Sequence, residues 1–115
     1  MIKLSEIKCD YQGAKVKRGQ VKNSFIIEYP NKTIIKHYDS EIVTIEGNKT
    51  TLYNADYGVT TKKIVNSFLP SGDIKLVTRD FKPFISLNGI LYPYHDFMFI
   101  LFDNDTITLH KKEVI

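Results

Sequence analysis

From Ser24 to His110 the chain is a succession of short, β-branched runs cut by turn residues, and one stretch breaks the pattern. Ser24-Phe-Ile-Ile-Glu-Tyr29 places Phe25, Ile27 and Tyr29 on one face of a strand. Pro30-Asn-Lys32 turns it into Thr33-Ile-Ile-Lys-His-Tyr38, so the two runs read as a hairpin. Glu41–Glu46 and Thr50–Tyr53 flank Gly47-Asn-Lys49 as a second hairpin. β-branched side chains fit a pleated surface better than a helix, and all four runs are rich in them.

The exception lies at residues 60–69. Thr60 or Thr61 can satisfy a free first-turn N–H, and Ile64, Val65, Phe68 and Leu69 then fall on one face of a 3.6-residue period. Pro70-Ser-Gly72 stops the helix. Two and a half turns are marginal alone, so this helix is expected to lie on a sheet.

Strands resume at Asp73–Arg79, with Ile74 and Leu76 inward and Lys75 and Arg79 outward. Phe84–Leu87 and Ile90–Tyr92 enclose Asn88-Gly89, a strong two-residue hairpin signal. Phe97–Phe102 is apolar on both faces and reads as a central strand, bracketed by Asp96 and Asp103. On that reading Phe99→Ala costs about 3–5 kcal/mol. Asp103-Asn-Asp105 then turns the chain into Thr106–His110, with Ile107 and Leu109 inward and the last residues fraying.

At 115 residues this is one domain, because two cores would leave each half too small to bury enough apolar surface. The expected fold is α+β: one mainly antiparallel, curled sheet with one short helix at about 60–69 between two groups of strands. Oligonucleotide-binding barrels share that order, although this chain carries more strands than they need. The apolar fraction of 43% and charged fraction of 25% suit a globular protein rather than a disordered one. Cys9 is the single cysteine, so no internal disulfide forms and a reducing compartment is expected. Met1–Lys8 has no apolar signal core, and Phe97–Phe102 is too short to span a bilayer. A soluble protein of the cytoplasm is expected, with no membrane partner.

Charge is uneven. Residues 1–36 hold eight basic and three acidic side chains, whereas the rest hold eight and ten. Lys15, Lys17, Arg18 and Lys22 form the tightest cluster. Such a segment can attract a polyanion, or it can line an edge strand and discourage edge-to-edge pairing.

No motif assigns chemistry. His37, His95 and His110 show no metal-ligand spacing, and His95-Asp96 would point to opposite faces of a strand. Asp103-Asn-Asp105 lacks the central glycine and closing glutamate of a calcium loop. No glycine-rich loop precedes the helix. Neither a cofactor, a metal nor catalysis is expected, and binding is the default activity. Tyr29, Lys32, Lys36 and Tyr38 interleave aromatic and cationic groups, as surfaces that stack single-stranded bases do. Tyr92-Pro-Tyr94 reads either as a rigid exposed turn presenting two tyrosine anchors or as a pair of tyrosines packed over the sheet edge. Lys62 and Lys63 stand in the first helical turn, where the macrodipole disfavours cations, so an anion or acidic partner could sit beside them.

Two segments carry a resemblance. Tyr38-Asp39-Ser40, leading into Ile42 and Val43, and Tyr57 with Thr60-Thr61-Lys62-Lys63 and Asn66 resemble a pattern in short, uncharacterised phage and prophage proteins. The likeness spans residues 23–69, with Gly58 where a serine is expected. It implies a phage-type origin and structural rather than catalytic motif positions. Proteins of that kind commonly bind a host macromolecule, and inhibition of a bacterial defence effector, as by anti-CRISPR proteins, is one such role. A basic inhibitor would meet guide RNA, an acidic face of a CRISPR nuclease, or a site away from its nucleic-acid channel. The alternatives are a nucleic-acid binder using Lys15–Lys22, and a phage structural or assembly protein.

Overall fold

The computed structural model describes residues 14–69, 72–103 and 106–111. Cys9, Met1–Lys8, Pro70, Ser71, Asn104 and Asp105 lie outside them, and with them the expectations placed there.

Ten strands and one helix make up the described residues. Strands β1 (Lys15–Arg18), β2 (Ser24–Glu28), β3 (Thr33–His37), β4 (Ser40–Glu46) and β5 (Lys49–Leu52) form an antiparallel meander. The chain then leaves this sheet for helix α1 (Val59–Phe68) and a meander of its own, β6 (Ile74–Arg79), β7 (Lys82–Leu87) and β8 (Ile90–Pro93). It returns as β9 (Phe99–Asp103), which pairs antiparallel with β5, and ends in β10 (Thr106–His110). The α+β class and the place of the helix match expectation. The single sheet does not. There are two, of seven strands (β1-β2-β3-β4-β5-β9-β10) and three (β6-β7-β8). No pairing among the described residues joins β1 to β10, so no closure into a barrel is seen among them.

Cross-strand partners share a face. Ile35, Val43, Leu52 and Ile100 point to one side of the large sheet, where Ile64 and Val65 of α1 and Ile74, Leu76 and Ile85 of the small sheet meet them in the main core. Ile107 and Leu109 pack against this core, as alternation predicts. Ile42 joins it through a β-bulge, where the β3–β4 register shifts between Ile35 and Lys36. On the other face Phe25, Ile27 and Ile34 form a smaller cluster with Val16 and Tyr29.

The two crossings of the chain are tied together. Asn54 N–H donates to Asp96 Oδ1 (2.9 Å), the Tyr94 hydroxyl donates to the same oxygen (2.8 Å), and Ala55 N–H donates to the Tyr94 oxygen (3.1 Å). Burial pushes the Tyr94 phenol well above its ordinary value, so it stays a donor. Tyr94 is only 8% exposed and belongs to the core, which corrects its reading as an exposed anchor.

Asn66 couples α1 to the small sheet. Its side-chain amide donates to Leu76 C=O (3.0 Å) and accepts from Leu76 N–H (2.7 Å). The amide thus pairs with Leu76 as a neighbouring strand would and covers the β6 edge at that position.

Other corrections are local. The N-cap of α1 is Gly58, with no side-chain cap; Thr61 is buried and turned to His37. Phe97 precedes β9 rather than belonging to it, and Phe99 is only half-buried. Ile100 is the residue of that strand in the core.

Candidate functional site

Four surfaces could carry function, and the first brings Tyr38, Asp39, Ser40 and Ile42 together with Tyr57 and Thr61. A cavity of about 220 Å³ opens between the β3–β4 turn and the start of α1. Tyr38, Asp39 and Ser40 line it from the turn; Tyr57 and Thr61 line it from the helix start; His37, Ile42 and Asn54 complete it. Residues from Tyr38 to Thr61 meet because β4 and β5 form a hairpin that brings Asn54 back beside Ser40. Asn54 Nδ2 donates to Ser40 Oγ (3.2 Å).

His37 defines the inner side. It is 5% exposed; its Nδ1 lies 2.8 Å from Thr61 Oγ1, and its Nε2 is buried without a hydrogen-bond partner. Desolvation lowers its pKa below the ordinary 6.5, so the ring is neutral at pH 7. A buried, unpaired polar nitrogen costs about 1–3 kcal/mol. The rim is formed by Tyr38 and Tyr57, both exposed. Tyr38 adopts φ +56°, a left-handed conformation that is costly for a bulky side chain, and its ring leans on His37 at 4.5 Å.

The second surface is the open face of the large sheet. Lys32 lies over the Tyr29 ring (5.3 Å) and Lys49 over Phe99 (4.5 Å), with His110 stacked on Phe99 at 4.8 Å. Tyr53 and Phe97 pair at 4.8 Å. The groove between them also holds Asp39 and Glu41. Its charge is therefore mixed.

The third surface is the edge of the small sheet. Ile90, Leu91 and Tyr92 are all exposed on β8, which pairs only with β7 among the described strands. Phe81 stands at the β6–β7 tip, fully exposed and at φ +65°. Tyr92 is exposed, as expected, but it lies with Pro93 in strand β8 rather than in a turn, in the company of Ile90, Leu91 and Phe81 rather than Tyr94.

The fourth is the basic segment. Lys15, Lys17 and Arg18 occupy the edge strand β1, and Lys22 lies exposed in the turn before β2. The strand pleat separates them: Arg18 shares a face with Phe25, while Lys17 points to the other face and pairs with Glu28 at 2.7 Å. Lys17 in turn lowers the Glu28 pKa. The helix lysines also diverge. Lys62 reaches the Thr78 hydroxyl on β6, whereas Lys63 borders a cavity against Gly19, Gln20 and Val21. No common anion site forms from Lys62 and Lys63.

Among the described residues, no group of three or more His, Cys, Asp or Glu is placed to hold a metal ion, and no helix is long and apolar enough to cross a membrane. Neither a protein-family model, nor a curated protein, nor a solved structure matches the chain, so its functional reading rests on its own residues.

Proposed function

We propose that this chain is a non-catalytic binding protein that docks on a protein partner through the β8 edge of its small sheet. One observation carries the reading: the edges of the two sheets are not treated alike. β1 carries Lys15, Lys17 and Arg18; β10, though also uncharged, exposes Thr106, Thr108 and His110 rather than apolar side chains; and β6 has Leu76 paired by the Asn66 amide. β8 presents Ile90-Leu-Tyr-Pro93, four exposed residues without a charge. Uncharged, apolar edges invite another strand, and natural monomers usually protect them; on β8 the one such device is Pro93, which has no N–H to offer. A partner strand added here would pair along the side of β8 that no described strand occupies, with Leu91 on one face and Ile90 and Tyr92 on the other. Phe81, held in a costly backbone conformation, supplies a further apolar anchor on the same sheet.

The phage-type resemblance points to the partner class: an effector of bacterial defence, bound directly, in the manner of an anti-CRISPR protein acting in the host cytoplasm. A second reading, single-stranded nucleic acid on the open sheet face, is favoured by the Tyr29–Lys32, Phe99–Lys49 and Tyr53–Phe97 arrangements. Binding to purified CRISPR effector complexes, with and without nuclease treatment, tests the first reading. Stoichiometric, nuclease-resistant binding that Leu91→Lys abolishes supports it. Binding confined to nucleic acid, with an affinity that falls steeply with salt, replaces it with the second.

A further inference from the structure

We infer that the cavity between the β3–β4 turn and the start of α1 is a binding site for a nucleobase. The site is separate from the β8 edge and does not depend on how that edge is used.

Three features define the occupant. The first is size: a volume of about 220 Å³ equals that of about seven liquid waters, which suits a planar ring system better than a lone ion. The second is the rim. Tyr38 and Tyr57 are exposed tyrosines that line the cavity, one from the turn and one from the helix start, and every base has a π-face to stack on such rings. The third is the polar lining. Asp39 supplies carboxylate acceptors; Ser40, whose oxygen already accepts from Asn54, has its own hydroxyl proton to donate. A ring carrying both N–H donors and acceptors along one edge matches that set.

His37 supplies the independent indication. Its side chain is more than nine-tenths buried, it lines the cavity, and Nε2 has no partner. Buried polar groups in native proteins are nearly always satisfied, so an unpaired one asks what completes it. A donor or acceptor on the edge of a bound base does so. Thr61 holds Nδ1 and sets which way the imidazole faces. The Tyr38 ring packs against the imidazole at 4.5 Å, and Nε2 is closed to solvent, so a side chain beside it shifts for the base to reach it.

The chain has seven tyrosines and no tryptophan, so tyrosine fluorescence reports stacking directly. Guanosine, adenosine, cytidine and a hexanucleotide are titrated into the full chain, with ¹⁵N-labelled histidine monitored in parallel by NMR. At least one base is expected to quench fluorescence saturably at one per chain and to shift the His37 Nε2 resonance. A hexanucleotide binding at least tenfold more tightly than its nucleosides identifies a strand as the source; equal affinities identify a free nucleoside or nucleotide. Tyr57→Ala, at an exposed position that leaves the core intact, should weaken binding at least tenfold, and Asp39→Asn should change the order of preference among bases. Absence of quenching at millimolar nucleoside, an unmoved His37 resonance, or equal affinity in Tyr57→Ala overturns the inference.

Discussion

Removing the Asn66 amide should cost more than its half-exposed position suggests. Both of its hydrogen bonds end on Leu76, one on the N–H and one on the C=O, and Leu76 is buried. An ordinary intramolecular hydrogen bond is worth about 1 kcal/mol net, but a stranded buried group costs about 1–3 kcal/mol. Asn66→Ala strands two groups whose shielding from water is partial, which gives a loss of about 2–4 kcal/mol. A domain of this length holds on the order of 10 kcal/mol in total. At about 4 °C per kcal/mol, the midpoint should fall by about 8–16 °C. Urea and thermal unfolding followed by far-UV circular dichroism measure it. Asn66→Asp keeps the acceptor and loses the donor, so it should fall between wild type and Ala. Native-state exchange of the Leu76 amide should also accelerate in the Ala variant. A loss below about 0.5 kcal/mol, with Leu76 still protected, would refute the view that this side chain covers the β6 edge at Leu76.

Three further outcomes follow from the same structure. Gly58→Ser should stabilise by about 0.5–1 kcal/mol, because the N-cap lacks a side-chain bond, its φ of −173° suits any residue, and nothing lies within 4 Å of an added Cβ; an unchanged thermal midpoint contradicts it. Ile100→Ala should cost about 2–5 kcal/mol and Phe99→Ala less, about 1–2 kcal/mol, since only Ile100 is in the core; urea denaturation ranks them. His37 has its folded pKa below the unfolded 6.5, so the unfolded chain takes up the proton first: stability is full above about pH 6.5 and declines as pH falls below it. The thermal midpoint should therefore drop between pH 7 and pH 5, with a shallower drop in His37→Gln.

Local chemistry was legible in the sequence, and long-range pairing was not. Asn88 and Gly89 both take positive φ between β7 and β8, as their residue types demand. The neighbouring turn at Asp80-Phe81 uses the same two positive φ values, but a phenylalanine there defies residue preference and hides the hairpin. The division into two sheets rests on β5 pairing with β9 across the whole inserted unit, and nothing local encodes that step. Thr61 looked like a cap because hydroxyls cap helices; its partner, His37, lies 24 residues away. Tyr94 looked exposed beside Pro93, yet its hydroxyl bridges Asp96 and Ala55 where the chain crosses back. Tyr38-Asp39-Ser40 and the stretch from Tyr57 to Thr61 stand out in the sequence, and only the fold shows that the first segment shares one cavity with Tyr57 and Thr61.

The claim that the uncharged β8 edge binds an effector of bacterial defence meets its most direct test in a host whose CRISPR immunity destroys an incoming plasmid. Transformation efficiency is compared with the chain expressed as wild type and as Leu91→Lys, at matched soluble levels. The account predicts that wild type restores transformation at least tenfold and that Leu91→Lys does not. No rescue by wild type across the main CRISPR effector classes, or equal rescue by both proteins, would contradict it.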